Sequence, residues 1–544
     1  MNDMKNNKLL RISTICFFEA MFSIIIAWGQ TPKETIPQLI EKNGRHALLV
    51  DGQPFLMLGG QAHNSSAWPG MMPQVWSAVK AMNANTLEVP VYWEQIEPQP
   101  GKFDYSLIDT LLKQGRQHNV HLVLLWFATW KNGSNHYMPD WMKSDAGKYP
   151  NITGKNGRPV DSPSPHTQAA MEADAKAFAA VMSYLKKADQ QFTVLMVQVQ
   201  NEPGSWGSVR DFSPAAQKLF EGQVPVELLK PDVLKALNRP VDARGTWQEV
   251  FGTDADEYFH AWSVAKYIGY IAAAGKAVYQ LPLYVNAALR DPISNPAAST
   301  YESGGPTDNV IPIWKVAAPA IDILAPDIYL SGSEKVLKVI ELYSRPDNAL
   351  FVPEISSSEE NARYFYSVLA SGGIGFSPFG IDRNGQGAEE ENTTRLTTIA
   401  QEYAMAAPMM RELAKWAFEG KIKAVVERED HAEQTIDLGL WQATVSFGAA
   451  RRNTVQANTR TVSKAMVVQL DENEFLLIGN LCHFTFKPLG ANAGKAWQYL
   501  KVEEGMYVNG KFKLLRILNG DETDWGGPRI GTIPVVFHTT LITR

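Results

Sequence analysis

Cysteine is almost missing from this chain, with two in 544 residues, Cys16 and Cys482. Cys16 falls in a segment expected to be removed, which leaves Cys482 alone and excludes a disulfide framework. No Cys/His cluster has metal-ligand spacing, so neither a zinc site nor any other metal is expected. A surplus of one charge is lacking too: 51 Lys and Arg face 57 Asp and Glu, a net −6 with no long basic run. Nucleic acid needs clustered cations, so a nucleic-acid partner is excluded. Past Trp28 no stretch approaches the ~20 uninterrupted apolar residues of a membrane span.

What the chain does have is core. Hydrophobic residues make up 45% and charged residues 20%, a composition that buries a large interior and rules out wholesale disorder. The length exceeds one ordinary domain, although a large α/β barrel takes about 250 residues alone, so two to three domains are expected. Fifteen Trp and 18 Tyr suit either a well-filled core or stacking on sugar rings.

The N-terminus reads as an address. Lys5, Lys8 and Arg11 precede an apolar run from Ile12 to Trp28, interrupted by Glu19. Ala27-Trp28-Gly29 offers small residues for a signal peptidase, with Gln30 as the mature start. Residues 1–29 are thus expected to be a signal peptide, with an uncleaved anchor helix as the alternative. The implied location is periplasmic or secreted, with no stable membrane insertion after cleavage.

From about residue 45 to 380, short apolar runs alternate with longer amphipathic stretches. Eight strands are expected: Phe55–Gly60, Thr86–Val91, His121–Phe127, Val194–Gln200, Leu283–Ala287, Ile321–Ile328, Leu350–Ile355 and Ile374–Phe379. Near-continuous apolar character fits parallel strands buried on both faces. Eight strands with intervening helices predict an α/β fold, a (β/α)₈ TIM barrel over residues 30–420, closed by a helix at Arg395–Glu419. No Gly-rich phosphate loop follows the first strand, which disfavours a doubly wound sheet. The long connection from Gly204 to His260 contains a helix-like piece, Phe220–Leu237, and is a candidate wall of the active site. Residues 421–544 change character: short alternating runs and an Asn509-Gly510 hairpin signal predict a C-terminal antiparallel β domain, sandwich-like.

Two strand ends carry the chemistry. In Val197-Gln198-Val199-Gln200-Asn201-Glu202-Pro203, Pro203 stops the ladder and delivers Asn201 and Glu202 to the C-terminal rim, where barrel sites form. Phe351-Val352-Pro353-Glu354-Ile355 likewise ends in one carboxylate. Either motif alone also suits a turn or a surface loop. Together, after the fourth and seventh strands, they supply what retaining glycoside hydrolysis requires, a proton donor and a nucleophile about 5–5.5 Å apart. A third segment, Tyr92-Trp93-Glu94 after the second strand, places aromatic and acidic residues where a sugar pocket wants them. Glu88, four residues before Tyr92, needs a buried partner if it points inward.

The runs VPVYWEQIEPQPGKFDY, QVQNEP and FVPEI resemble the retaining (β/α)₈ glycosidases, and most closely glycoside hydrolase family 35, the β-galactosidases of bacterial secreted type. The resemblance implies Glu202 as acid/base, Glu354 as nucleophile and Asn201 as a partner of the sugar 2-hydroxyl. Tyr329, in "PDIY", is similar to the tyrosine that supports the nucleophile. Tyr92, Trp93 and Glu94 are implied pocket residues, although their string departs from the family's Trp-Asn-Leu-His-Glu-Pro-like one. Trp126, with Trp130 and Trp141, is a candidate platform or a packing residue, and His63 and Asn64 follow the first strand within reach of a hydroxyl. Glu389, Glu390 and Glu391 read as a solvated loop.

The implied function is a retaining exo-acting β-galactosidase releasing terminal galactose from a β-galactoside oligosaccharide or plant polysaccharide side chain, with no cofactor. The alternatives are another retaining barrel glycosidase, a β-glucosidase or an endo-glucanase, and a non-catalytic carbohydrate-binding protein.

Overall fold

A computed structural model describes residues 35–382, 389–451, 454–456 and 459–544. The expected signal peptide lies outside the described residues.

Eight parallel strands close a barrel in chain order: β1 (Met57–Gln61), β2 (Thr86–Tyr92), β3 (His121–Lys131), β4 (Val194–Asn201), β5 (Leu283–Ala288), β6 (Ile323–Ile328), β7 (Val352–Ile355) and β8 (Gly375–Pro378). Each overlaps one expected strand, and Gly375 on β8 pairs with Met57 on β1 to complete the ring. Every residue of β2 and β4 is buried, as a strand covered on both faces demands. Pro90 sits inside β2 without harm, because the ladder from β1 reaches only as far as Glu88. Eight helices follow the strands in turn: α1 (Met72–Ala81), α2 (Ser106–His118), α3 (Gln168–Ala188), α4 (Ala255–Val278), α5 (Ile311–Ala317), α6 (Ser333–Tyr343), α7 (Tyr364–Ala370) and α8 (Glu389–Ala406). Helix α2 shows the logic: Leu107, Ile108, Leu111 and Leu112 bury one stripe, and Asn119 ends it with φ +54°.

Three expectations need correction. Of the piece from Phe220 to Leu237 only Pro231–Ala236 is helical past the end of a preceding helix, Pro214–Phe220, since Pro231 has no N–H to continue a helix and instead starts one. The closing helix breaks at Pro408 into α8 and Met410–Phe418. Glu389, Glu390 and Glu391 open α8 rather than forming a loop, and their side chains lie outside the described residues.

From Ile422 the chain is antiparallel. A six-stranded sheet runs in the order Ile422–Val426, Lys464–Gln469, Glu474–Asn480, Val535–Thr543, Trp497–Val508 and Lys511–Ile517. A four-stranded sheet is built from Gln434–Asp437, Trp441–Phe447, Cys482–Pro488 and Arg529–Ile530. Asn509 and Gly510, both at positive φ, make the two-residue hairpin that sets Val508 opposite Lys511. Alternation sorts the core: Ala465, Val467, Phe475 and Leu477 face the smaller sheet, whereas Met466, Val468, Leu476 and Ile478 join the core of the barrel. Lys464, on the same strand, forms a 2.9 Å ion pair with Glu402 of α8, and both side chains are fully buried. The sandwich is thereby fixed to the barrel by apolar packing and by one interior charge pair.

Candidate active site

The end of β4 is held in an unusual backbone conformation. Gln200 and Glu202 both have positive φ, +67° and +42°, although neither is glycine. Such residues persist only where their surroundings over-determine them. Here the Glu202 N–H donates to Asn286 Oδ1 at 2.8 Å, and the Gly133 N–H donates to the Glu202 carbonyl at 3.1 Å. Glycine suits that spot, where φ is +68° and a Cβ would lie 2.5 Å from Glu302 Oε1. Beneath, the Gln200 side chain bridges the Trp130 N–H (2.9 Å) and Asp174 (2.7 Å), so the strand end is clamped on both sides. Glu202 emerges at the rim with 8% of its surface exposed.

Glu354, 6% exposed, reaches the same rim from β7. Tyr329 donates its hydroxyl to Glu354 Oε1 at 2.6 Å. Burial pushes the Glu354 carboxyl up to about 7, and the charge of Glu202 pushes the same way. The Lys131 ammonium and the Tyr329 and Gln61 donors act against that rise by favouring the anion. Lys131 was beyond the expected end of the third strand. It comes into place because β3 runs on through fully buried Ala128, Thr129 and Trp130, slips register against β4, and sets Lys131 opposite Asn201.

Two more buried carboxyls adjoin Glu202. Asp327, at the end of β6, is the Cα partner of Glu354. Its carboxyl accepts from Asn286 Nδ2 at 2.6 Å and lies within hydrogen-bonding reach of the Glu202 carboxyl. Burial, then the charges of Glu354 and Glu202, hold it well above the usual carboxylate range. Glu302 accepts the Trp206 indole N–H at 3.0 Å, and burial followed by the charge of Glu202 raises it strongly as well. Glu88 does point into the barrel. Its partner is Tyr284 of β5, whose hydroxyl donates at 2.9 Å, and burial pushes Glu88 up to about 8.

The other expected site residues divide. Asn201 is at the rim, its buried Nδ2 without a protein partner among the described residues. Asn64 lines a cleft of about 500 Å³ beside the acids, with Lys131, Asn132, Tyr137 and the half-exposed Trp206. His63 is half-buried, its backbone N–H bonded to Asp382 and its ring beside Phe379. Four residues are placed otherwise than the sequence suggested. Trp126 is fully buried against α3, its indole donating to Asp174 at 2.8 Å. Trp93 is fully buried beside Trp126, its indole donating to Glu97 at 2.9 Å. Tyr92 is buried, and its hydroxyl holds the loop after β1 by donating to the Asn64 carbonyl at 2.7 Å. Glu94 is engaged with Lys143 at 3.1 Å. The polar groups of Trp126, Trp93 and Tyr92 are thus bonded to protein, while Glu94 keeps about 34% of its side chain exposed. Trp130 is fully buried edge-on to Tyr267, and the Trp141 indole donates to the Glu97 carbonyl at 3.1 Å. The exposed aromatic surfaces at the rim include those of Trp206, of Tyr329 and of Trp68, which stacks on Tyr92.

Among the described residues no group of three or more His, Cys, Asp or Glu side chains is arranged to hold a metal ion. What the rim does hold is a pair of buried, charge-coupled carboxyls on β4 and β7 of a (β/α)₈ barrel, one with donors around it and one beside further carboxyls. That is the class of site that cleaves glycosidic bonds with two carboxylates.

Comparison with known proteins agrees at that level. Residues 66–269 match the glycoside hydrolase family 42 model, described as beta-galactosidase, and residues 399–527 match a domain of unknown function. Over 160 residues the chain is 28% identical to a beta-galactosidase of Xanthomonas manihotis, a match covering 29% of this chain and 25% of that protein. Over 108 residues it is 29% identical to beta-galactosidase 11 of Arabidopsis thaliana, covering 19% of this chain and 12% of the relative. The matches thus span a quarter or less of the length of these relatives. Two similar solved structures are the beta-galactosidases of Bacillus circulans sp. alkalophilus (14% identity, TM-score 0.48, 66% of this chain and 57% of that one) and of Rahnella sp. R3 (14%, 0.49, 70% and 58%). The resemblance therefore holds for the β-galactosidase glycoside hydrolases as a group, and the matching family model is 42, not the 35 expected from the motifs.

Proposed function

We propose that this chain is a retaining β-galactosidase that removes terminal β-galactose from oligosaccharides or plant polysaccharide side chains. The observation that carries the reading is the unequal surroundings of two acids on one rim. Glu354 is served by Tyr329, Gln61 and Lys131, all of which favour a negative charge, and so suits the nucleophile. Glu202, the other acid of the pair, has the buried carboxyls of Asp327 and Glu302 as neighbours instead, and takes the proton-donor role opposite Glu354.

In the first step Glu354 attacks the anomeric carbon while Glu202 gives its proton to the departing glycosidic oxygen, leaving a glycosyl ester. Glu202, now a carboxylate, takes a proton from water as that water displaces Glu354, and both acids return to their starting states. Asn201 offers its free Nδ2 to the 2-hydroxyl, and the cleft beside Trp206 receives the leaving saccharide. The motif resemblance to family 35 supports the exo-acting form of this reading, and the N-terminal Lys5-to-Gly29 segment supports export to the periplasm or exterior.

A panel of nitrophenyl glycosides tests the substrate. Cleavage of the β-galactoside is expected, and cleavage of the β-glucoside alone would replace the galactosidase reading with a β-glucosidase one. Glu354→Gln is expected to bind sugar but lose ~10³-fold or more in kcat, because the covalent route is closed. Glu202→Ala is expected to slow poor leaving groups far more than nitrophenol, which needs little protonation. Uniform slowing of both would remove Glu202 from the acid role.

A further inference from the structure

The carboxyl of Asp327 has no part in the two displacements, yet it touches the group that moves the proton. Asp327 Oδ2 is occupied by Asn286 Nδ2 at 2.6 Å. Oδ1 is buried and receives no hydrogen bond from any described donor. The Glu202 carboxyl is within hydrogen-bonding reach. Two carboxylates in such contact, both buried, cannot both be charged, so a proton must lie between them. Asn286 fixes the geometry from both sides, since its Oδ1 accepts the Glu202 backbone N–H while its Nδ2 donates to Asp327.

We infer that Asp327 is a positioning residue that stays neutral and donates its Oδ1 proton to the Glu202 carboxyl throughout turnover. The inference rests on the acid/base reading of Glu202. Its location decides which acid keeps the proton. Asp327 faces Glu354 on β7, Glu202 on β4 and the neutral phenols of Tyr284 on β5, Tyr329 after β6 and Tyr343 on α6, with Lys131 of β3 as the nearby cation. Glu354 must be ionised to attack, and an ionised Asp327 beside it would put two like charges on adjacent strands. Burial acts in the same direction. In the first step Glu202 loses its proton to the leaving oxygen, and the Asp327 hydrogen bond becomes charge-assisted and stronger at that moment. It therefore stabilises the transition state more than the ground state. In the second step Glu202 recovers a proton from water, and Asp327 retains its own.

Infrared spectroscopy of the wild-type protein with ¹³C-labelled aspartate tests the proton directly. Burial raises Asp174 only to about 6, so at pH 8 that aspartate is ionised and adds nothing to the band. A label-shifted band of a protonated carboxyl is expected at pH 8, and its absence would overturn the inference. The band does not depend on turnover, so it is separable from the substrate reading, which fails if the wild type leaves β-galactosides untouched. Kinetics test the consequence. Asp327→Asn keeps a donor and is expected to retain kcat within about threefold, with the alkaline limb of its pH profile unmoved. Asp327→Leu is expected to lose about 10- to 100-fold, the worth of a charge-assisted bond. If Asp327 were ionised, Asp327→Asn would remove a charge beside Glu202 and move the alkaline limb down by a unit or more. That shift, or equal damage in both variants, would refute the role.

Discussion

Glu88→Gln should make the protein more stable, and by an amount that depends on pH in a calculable way. Glu88 is fully buried inside the barrel, and its carboxyl is pushed up to about 8 from 4.5, first by burial and then by the charge of Glu354. Between those two values the folded chain holds a proton that the unfolded chain has released. Stability therefore falls as pH rises from about 4.5 to about 8, and levels off above. At ~1.36 kcal/mol per pH unit, the wild type has lost about 3 kcal/mol at this site by pH 7. Glutamine carries no proton to lose, keeps the shape, and still accepts the Tyr284 hydroxyl. A chain of this length melts with an entropy of ~1 kcal/mol per kelvin, so the gap in melting temperature should widen by about 3 K between pH 4.5 and pH 7. The assay is differential scanning calorimetry of both proteins at matched scan rates across that range. The slope contributed by Glu354 is common to both and cancels. A gap that stays constant with pH would show that Glu88 enters the folded state already ionised, which refutes the reasoning.

Tyr329→Phe removes a donor to the charged form of Glu354, so the acidic limb of the activity profile should move up. Wild-type activity is gained as pH rises through about 7, where Glu354 ionises, and the variant should need roughly one further unit. An unmoved limb in a pH series of kcat/KM would break the link between the phenol and the nucleophile. Lys464→Met strands the buried Glu402 carboxylate and should cost ~3–5 kcal/mol, seen as a lower melting temperature. Combining it with Glu402→Gln should restore most of that loss, and a single variant as stable as the wild type would show that the pair contributes nothing.

The barrel was legible because parallel strands covered on both faces must be apolar throughout, and eight such runs are visible in the chain. Glu202 and Glu354 were legible for a related reason, since a lone acid at the end of an apolar run has little else to do. The sugar contacts were not. In a strand buried on both faces, an aromatic residue fills the interior or the helix-facing layer with the same local signature, so Trp93 and Trp126 could be taken for rim residues. Lys131 was hidden because Ala128-Thr129-Trp130 weakens the apolar run that β3 in fact continues. Asp327 stood two residues before Tyr329 in a motif already singled out. Glu302 sits in the loop after β5, where no periodicity marks it and only tertiary contact with Trp206 and Gly133 gives it meaning.

The left-handed backbone at Glu202 sets two selective pressures against each other. Glycine or asparagine would occupy that conformation with less strain, on the order of 1 kcal/mol for a single residue. A lineage screened only for heat tolerance would therefore drift toward losing this carboxyl, and descendants without it should be sturdier than the parent.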